Sequence, residues 1–435
     1  MKITIPNSLK DLSSIFLLNG TPLYIVGGFV RNAILGFCET DYDICSSLKS
    51  EEVVKILEGT PFFAQVVNPK LGTLLIKNKM NDDEFEHTTF RKESYKIGGA
   101  HSPEQVEFVT DIKQDASRRD FTANSIYYDI STGNLIDFYN GIEDVTAKVL
   151  RTVETPEYVF SRDGLRILRL VRMSCELDFT IDEECFDVAK NLVAQLGDIS
   201  QERFNKEIIA ILFADYKYDS IVNPHAPVMG LKLLSNLGAW GYVFPEISSV
   251  LGINFVNEKL SGDWINTVQK VSPVHRISAF LLDVLTALDL PLNKSSVKLV
   301  LGANGLMLSQ TEIERQARLL GCFATAKSGF KTEEEKRLFI QQNSDILIRL
   351  IDFGKVFNLF SDLELTFNLM VIDKVPMNLK QLKLNGNDLQ EYFPSIKKQQ
   401  YGAVLNSLLK KCCLYPELNT KEKLLNMVDG ECKNG

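Results

Sequence analysis

Near residue 140 the chain changes its hydrophobic period, and that change sets the kind of fold it can adopt. Upstream, short apolar runs separated by turn residues read as strands at 23–26, 74–76, 85–90, 106–109 and 126–128. The first of these runs into Gly27-Gly28, after which 29–35 reads as a helix with Gly36 as its stop. A short amphipathic helix is expected at 50–59, opening on a Ser50 cap. From Pro156 onward the apolar residues fall at helical spacing, as in Leu165, Leu168 and Val171, then Ile208, Ile209 and Leu212. The pattern predicts an α/β head, then an almost entirely helical stretch over 156–435. At 435 residues the chain exceeds one core and is expected to form two to four modules.

The chemistry concentrates in three clusters. The first is Val26-Gly27-Gly28-Phe29-Val30-Arg31 followed by Asp41-Tyr42-Asp43. Asp41 and Asp43, one residue apart on a strand, would project from one face, and hard oxygen ligands suit Mg²⁺. Two such ions ~3.5–4 Å apart hold the attacking and leaving oxygens of a phosphoryl transfer. Gly27-Gly28 would let backbone N–H groups approach a triphosphate, with Arg31 supplying a full charge. Alone, an Asp-x-Asp or a Gly-Gly is more often an ordinary turn; their order after an apolar strand adds the specificity.

The second cluster is Arg118-Arg119-Asp120-Phe121-Thr122-Ala123-Asn124. Adjacent arginines fit phosphate oxygens, and a carboxylate accepts from a ribose hydroxyl. The alternative is a surface knot of ion pairs. The third cluster, Asp163, Arg166, Arg169 and Arg172, would form a stripe on one helix face. There an Asp accepts from the amino group of cytosine or adenine while an Arg donates to the neighbouring ring nitrogen, and uracil and guanine present the opposite pattern. The competing account is a solvated helix face.

Composition excludes several other classes. No run approaches the ~18 apolar residues of a membrane span. The start, Met1-Lys2-Ile3-Thr4-Ile5-Pro6, soon meets Lys10 and Asp11, so neither membrane nor signal peptide is expected and a cytoplasmic home is. The eight cysteines and four histidines are scattered, with no zinc spacing, and read as reduced structural residues. A net charge of −8 is a whole-chain sum and is compatible with a local basic cleft for RNA.

Together these stretches resemble the class II tRNA nucleotidyltransferases and the related bacterial poly(A) polymerases, in the polymerase-β-like nucleotidyltransferase superfamily. Besides the three clusters, Asp137-Phe138-Tyr139-Asn140-Gly141 with Asp144 looks like the family's hinge motif, and Glu202-Arg203 through Glu207 like a last motif that braces the helices. The similarity is sharp to about residue 210 and returns near Leu384-Asn385-Gly386-Asn387-Asp388-Leu389. It implies a catalytic head (1–145), a neck carrying the base-reading motif (146–215), a body (216–330) and a tRNA-binding tail (331–435).

Carried over, Asp41 and Asp43 bind two Mg²⁺. Gly28, Arg31 and Arg119 hold the triphosphate, with Gly27, Arg118 and Asn124 beside them, and Asp120 holds the ribose. Asp163 and Arg166 read the base, and Arg169 and Arg172 complete the pocket. Glu86 is the candidate third carboxylate, an edge-strand charge being the alternative. Two positions depart from the pattern: Asn32 stands where the family has Asp, and Arg162 where it has Glu.

The implied activity is addition or repair of the 3′ CCA of tRNA from CTP and ATP. A-only addition and poly(A) synthesis are the alternatives within the family. Outside it stand a non-catalytic RNA-binding relative and a nucleotidyltransferase for a small acceptor. Residues 91–103, with Gly98-Gly99 and Pro103, have the character of a loop that CC-only members lack. The chain ends soon after the helical region rather than in the basic extension usual for poly(A) polymerases. The tRNA would be gripped through phosphates, with Lys380, Lys383, Lys397, Lys398, Lys410 and Lys411 as candidates against the alternative of solvated lysines. Some relatives carry a phosphohydrolase built on a His-Asp pair; here no His precedes Asp283, and that activity is not expected.

Overall fold

The structure, a computed structural model, describes residues 3–38, 40–95, 103–218 and 223–434, with side chains described through residue 429. The chain divides into two compact units, residues 1–265 with 299–308, and residues 266–298 with 309–435.

The first unit opens with helix α1 (Asn7–Leu18), then β1 (Tyr24–Val26), α2 (Gly28–Leu35), β2 (Asp43–Ser46) and α3 (Ser50–Ile56). Strands β3 (Phe62–Asn68), β4 (Thr73–Asn78), β5 (Glu84–Thr89), β6 (Arg91–Ser94) and β7 (Gln105–Phe108) follow, then α4 (Ile112–Ser117), β8 (Tyr127–Asp129) and β9 (Leu135–Ile136). Seven strands form one sheet in the order β3-β4-β5-β2-β1-β8-β9. Only β2 and β5 run parallel, which aligns Asp43 with Glu86. Alternation explains β5: Phe85, His87 and Thr89 face inward while Glu84 and Glu86 face water. His87 is fully buried with Nε2 2.9 Å from the Ser46 hydroxyl, and burial pushes its imidazole down to about 3. Leu9, Leu12 and Phe16, spaced three and four apart on α1, are fully buried. A cluster of Val26, Cys45, Phe90, Ala116 and Tyr127 packs α4 onto the sheet.

Several expectations shift. Strand β2 begins at Asp43, so Asp41 precedes the ladder and the alternation argument reaches only Asp43. The cap of α3 is Lys49, whose N–H donates to Glu52 at 2.8 Å, and Ser50 is the first helical residue. Residues 91–94 are not loop but the first strand of the antiparallel β6–β7 ribbon, whose second strand is the one expected at 106–109; Gly98-Gly99 lie outside the described residues. Helix α1 and strand β3 were not anticipated. The outer strand β3 leaves Phe63, Val66 and Val67 exposed, which hides its alternation.

Beyond the sheet come α5 (Gly141–Ala147), β10 (Val149–Leu150), α6 (Pro156–Arg162), α7 (Leu165–Leu177), β11 (Thr180–Ile181), α8 (Glu183–Asn191) and α9 (Gln201–Leu212). Strands β10 and β11 pair in parallel, a small exception to the all-helical expectation. Helix α7 buries Ile167, Leu168, Leu170, Val171 and Met173, which turns Arg166, Arg169 and Arg172 away from the core. Asp163 is not on that helix: it ends α6 in an extended conformation (φ −147°, ψ 103°).

In the second unit, Asp283 is buried and accepts the N–H groups of Asn266, Thr267 and Val268 at 2.7–3.2 Å. Asn385 caps the helix Gly386–Tyr392, and Asp388 accepts back from the Asn385 N–H at 2.8 Å. That helix packs through Leu389 into a cluster with Leu384, Leu408, Cys412 and Leu424. The seven cysteines with described side chains are free thiols, and no helix among the described residues is long and apolar enough to cross a membrane.

Two features tie the sheet to the segment 118–124, and each yields a prediction. Gly141 opens α5 so close to that segment that a Cβ there would lie 2.3 Å from the Thr122 carbonyl oxygen. Gly141→Ala should therefore destabilise the fold by about 2 kcal/mol, read as a lowered urea midpoint. Asp115 of α4 is fully buried and takes hydrogen bonds from Arg118 Nε at 2.8 Å, Arg119 Nη2 at 3.3 Å and the Tyr127 hydroxyl at 2.6 Å. Burial alone would raise its carboxyl, but Arg118, then Arg119 and the Tyr127 hydrogen bond, bring it down to about 2 from 3.8. A depressed folded-state pKa gives stability that is complete above the unfolded value and lost as the pH falls. About 2 kcal/mol should therefore disappear between about pH 4 and pH 2. Asp115→Asn should remove that acid limb and cost about 3 kcal/mol at pH 7, measured by urea denaturation at several pH values.

Candidate active site

The Gly27-Gly28 turn is built by backbone geometry. Gly27 has φ +85°, which favours glycine, and a Cβ there would sit 3.5 Å from Asp43 Oδ2. The turn thus lies against the carboxylate that opens β2, and α2 starts at Gly28. Asp41, Asp43 and Glu86 are all exposed. Among the described residues no group of three or more His, Cys, Asp and Glu side chains forms a ready metal cage. Exposed carboxylates beside a glycine turn nevertheless fit Mg²⁺, which usually takes one or two carboxylates and fills the rest with water and substrate phosphates.

Arg31 is buried and folds back over its own helix, so that a Cβ on Gly28 would lie 3.5 Å from its Nη2. Its Nε donates to Asn32 Oδ1 at 3.0 Å, Nη1 to Asn124 Oδ1 at 2.5 Å and Nη2 to the Tyr218 hydroxyl at 3.3 Å. All three acceptors are uncharged. The departure at Asn32 therefore has a clear consequence: Arg31 is oriented without being neutralised, which an Asp at that position would do. Tyr218, whose ring stacks on Phe37 at 4.7 Å, had no signal in the sequence.

Asp120 is buried and joins the sheet unit to α7. Its Oδ2 accepts from Arg169 Nε at 2.8 Å and Nη2 at 2.5 Å, and its Oδ1 from the Phe121 N–H at 2.8 Å and Asn124 Nδ2 at 3.2 Å. Burial would raise this carboxyl; Arg169 and then Arg166 outweigh burial and hold it well below the usual range. Arg118 and Arg119 are not a surface knot. Both are largely buried against Asp115, and Arg118 also lies 3.6 Å from Glu93.

The base-reading candidates are held by backbone carbonyls and by α9, which carries the Glu202–Glu207 motif expected to brace the helices. Asp163 Oδ2 takes Arg203 Nη2 at 2.8 Å, and its Oδ1 takes the Leu165 N–H at 3.1 Å. Arg166 Nη2 donates to the Arg118 carbonyl at 2.8 Å and Nη1 to that of Val159 at 3.4 Å. Arg172 is clamped by Glu207 at 2.6 Å and Glu176 at 2.8 Å. Arg203 and Glu207, on α9, thus brace the two ends of the third cluster. Arg162, the other departure, lies 3.5 Å over the ring of Tyr158. Arg118, Arg119, Asp120, Asp163, Arg166, Arg169 and Arg203 together enclose a cleft of about 280 Å³. The six tail lysines, Lys380 to Lys411, are exposed on the second unit.

Comparison with known proteins places this geometry. Residues 23–151 match the poly A polymerase head domain family, and residues 178–251 match the family described as the probable RNA and SrmB-binding site of polymerase A. The second match lies upstream of the tail lysines. The CCA-adding enzyme of Enterococcus faecalis is 38% identical over 216 residues, covering 49% of this chain and 51% of that enzyme, so that alignment spans about half of the relative's length. The CCA-adding enzyme of Ligilactobacillus salivarius is 27% identical over 93% of this chain and 92% of its own. Among solved structures, the Bacillus stearothermophilus CCA-adding enzyme in complex with CTP superposes with a TM-score of 0.70 at 22% identity, covering 99% of this chain and all of that one. The Thermotoga maritima CCA-adding enzyme complexed with tRNA gives 0.59 at 19% identity, over 98% and 95% of the two chains. The fold is an α/β head of the poly A polymerase head domain family followed by a largely helical remainder, the fold of the CCA-adding enzymes on which the chain superposes.

Proposed function

We propose that this protein adds nucleotides from CTP and ATP to the 3′ end of tRNA, building or repairing its CCA terminus in the cytoplasm. The observation that carries the proposal is the cleft in which Asp120, Asp163, Arg166 and Arg169 converge. The CCA-adding enzymes aligned over nearly the whole chain support the choice of acceptor.

In this reading Asp41 and Asp43, with Glu86 in register beside Asp43, hold two Mg²⁺. Bound there, the ions supply positive charge to the attacking and leaving oxygens of an in-line transfer. The chain's own residues do the positioning. Gly27 keeps the backbone close enough for its neighbours' N–H groups to meet a phosphate, and Arg31 adds a charge that no carboxylate cancels. Asp120, whose oxygens are already bonded by Arg169, the Phe121 N–H and Asn124, receives a ribose hydroxyl by exchanging the Asn124 contact, the longest of the four at 3.2 Å. Asp163 and Arg166 present an acceptor and a donor to the base edge. Fixing both through Arg203 and through backbone carbonyls limits the reorganisation needed when a base arrives.

The test is incorporation into tRNA transcripts ending before CCA, after the first C, and after CC, with Mg²⁺ and CTP, ATP or both. CCA added to the first transcript, with no further addition, is the expected result. A alone, added only to the CC-ended transcript, would make the protein an A-adding specialist. Unlimited A would make it a poly(A) polymerase, and no incorporation would overturn the reading. Asp41→Ala and Asp43→Ala should each lower both C and A addition by at least about a thousandfold. Asp163→Ala should instead erode discrimination against UTP and GTP by about 10- to 100-fold while keeping turnover, and unchanged preference would sink the base-reading assignment.

A further inference from the structure

On the other side of the Asp120–Arg169 pair lies a second, smaller cavity of about 170 Å³. It is bordered by Gly28, Arg31, Asn124, Arg169, Arg172 and, from beyond the end of α9, Lys217. Met173 and Glu176 complete its wall. Its charges are not alike. Arg169 is matched by Asp120, and Arg172 by both Glu176 and Glu207. Among the described residues Arg31 is held by the neutral oxygens of Asn32, Asn124 and Tyr218 and by no carboxylate. Lys217 is exposed, and its ammonium has no ion pair or hydrogen bond among the described residues. Two uncompensated cations, 186 residues apart in sequence, are therefore brought to one small cavity.

Their placement has a direction. Gly27 abuts the Asp43 carboxylate, whereas Gly28 abuts the Arg31 guanidinium, each 3.5 Å from the position a Cβ would take. Going from Gly27 to Gly28 therefore leads from the acidic side of the site to its cationic side. A nucleoside triphosphate whose α-phosphate reacts beside Asp43 would carry its β- and γ-phosphates toward Arg31 and Lys217. A planar guanidinium beside a mobile ammonium is a chemically apt pair for a polyphosphate. The hydroxyl of Tyr218, the residue after Lys217, bonds Arg31 Nη2 at 3.3 Å and lies 3.5 Å from Asn32 Oδ1, which ties the two cations to one another.

We propose that Lys217 is a binding residue for the terminal phosphates of the incoming nucleotide and for the pyrophosphate that leaves, with Tyr218 as the positioning residue that sets Arg31 beside it. This rests on the nucleotidyltransferase reading above and adds a residue to it from outside every recognised motif. The grip is blind to the base, so it acts on CTP and ATP alike, in contrast to Asp163 and Arg166.

The test uses the full-length protein and three probes: CTP, CMP and inorganic tripolyphosphate. Lys217→Ala should weaken CTP and tripolyphosphate binding about tenfold and leave CMP unchanged, and Lys217→Arg should restore most of the loss. In steady-state assays KM should rise by the same factor for CTP and ATP, and inhibition by pyrophosphate should weaken in parallel. Tyr218→Phe, which keeps Lys217, should produce a smaller loss of the same kind. An unchanged CTP-to-CMP affinity ratio in Lys217→Ala would overturn the proposal. So would an equal loss of CMP and CTP, which would mark Lys217 as structural. The two readings fail separately. Wild-type protein that binds CTP and tripolyphosphate through Lys217 but adds nothing to tRNA would remove the functional reading alone. CCA addition with an intact Lys217→Ala ratio would remove only this inference.

Discussion

The site depends on the buried contact between Asp120 and Arg169. Taking a carboxylate and a guanidinium out of water is expensive, and it is offset only when geometry is good and the remaining lone pairs are filled. Both conditions are met: Arg169 donates through two nitrogens to one oxygen, and the Phe121 N–H and Asn124 amide occupy the other. Removing Arg169 would strand a buried carboxylate. The pair also has a spatial consequence, because Arg169 borders both cavities. One ion pair thus joins the sheet segment after α4 to the middle of α7 and forms the partition between two binding spaces.

Around this partition the arginines divide by the charge of their partners. Arg118 and Arg119 meet Asp115, and Arg172 meets two glutamates, so these three hold elements together with their charge largely spent inside the protein. Arg31 meets only amides and a hydroxyl. An amide oxygen orients a guanidinium through a weaker hydrogen bond than a carboxylate would make, and it does not cancel the field. Asn32 is fully buried, and an aspartate there would have quenched the cation nearest the Gly27-Gly28 turn. Hence the substitution that looked like a departure from the family pattern leaves the anion-facing charge intact.

Legibility in the sequence followed the range of the interaction. Elements fixed by local pattern were readable: the β1–Gly-Gly–α2 turn with Gly36 as its left-handed stop, the alternation of β5, and the arginines three apart on α7. Contacts fixed by tertiary geometry were not. Asp163 was placed on a helix because its spacing fits one, yet a break at Gly164 leaves it extended, and a Cβ on Gly164 would lie 2.9 Å from the Gln195 carbonyl oxygen. Arg203, its partner, stands forty residues downstream. Asp115 sits in a short helix with no motif, and Lys217-Tyr218 follow the last recognisable one. Long-range partners leave no periodicity and no turn chemistry behind.

The bracing of Arg166 carries the argument one step beyond its own contact. Its guanidinium hangs from the carbonyl of Arg118, in the segment that also places Asp120, and from that of Val159 in the middle of α6. The group proposed to face the base is therefore fixed by the same stretch of backbone that fixes the group proposed to face the ribose. Asp163 is held from two other elements, by Arg203 of α9 and by the Leu165 N–H that opens α7. The two groups proposed to read the base therefore answer to different neighbours, the acceptor to α7 and α9, the donor to α6 and to the segment before Asp120.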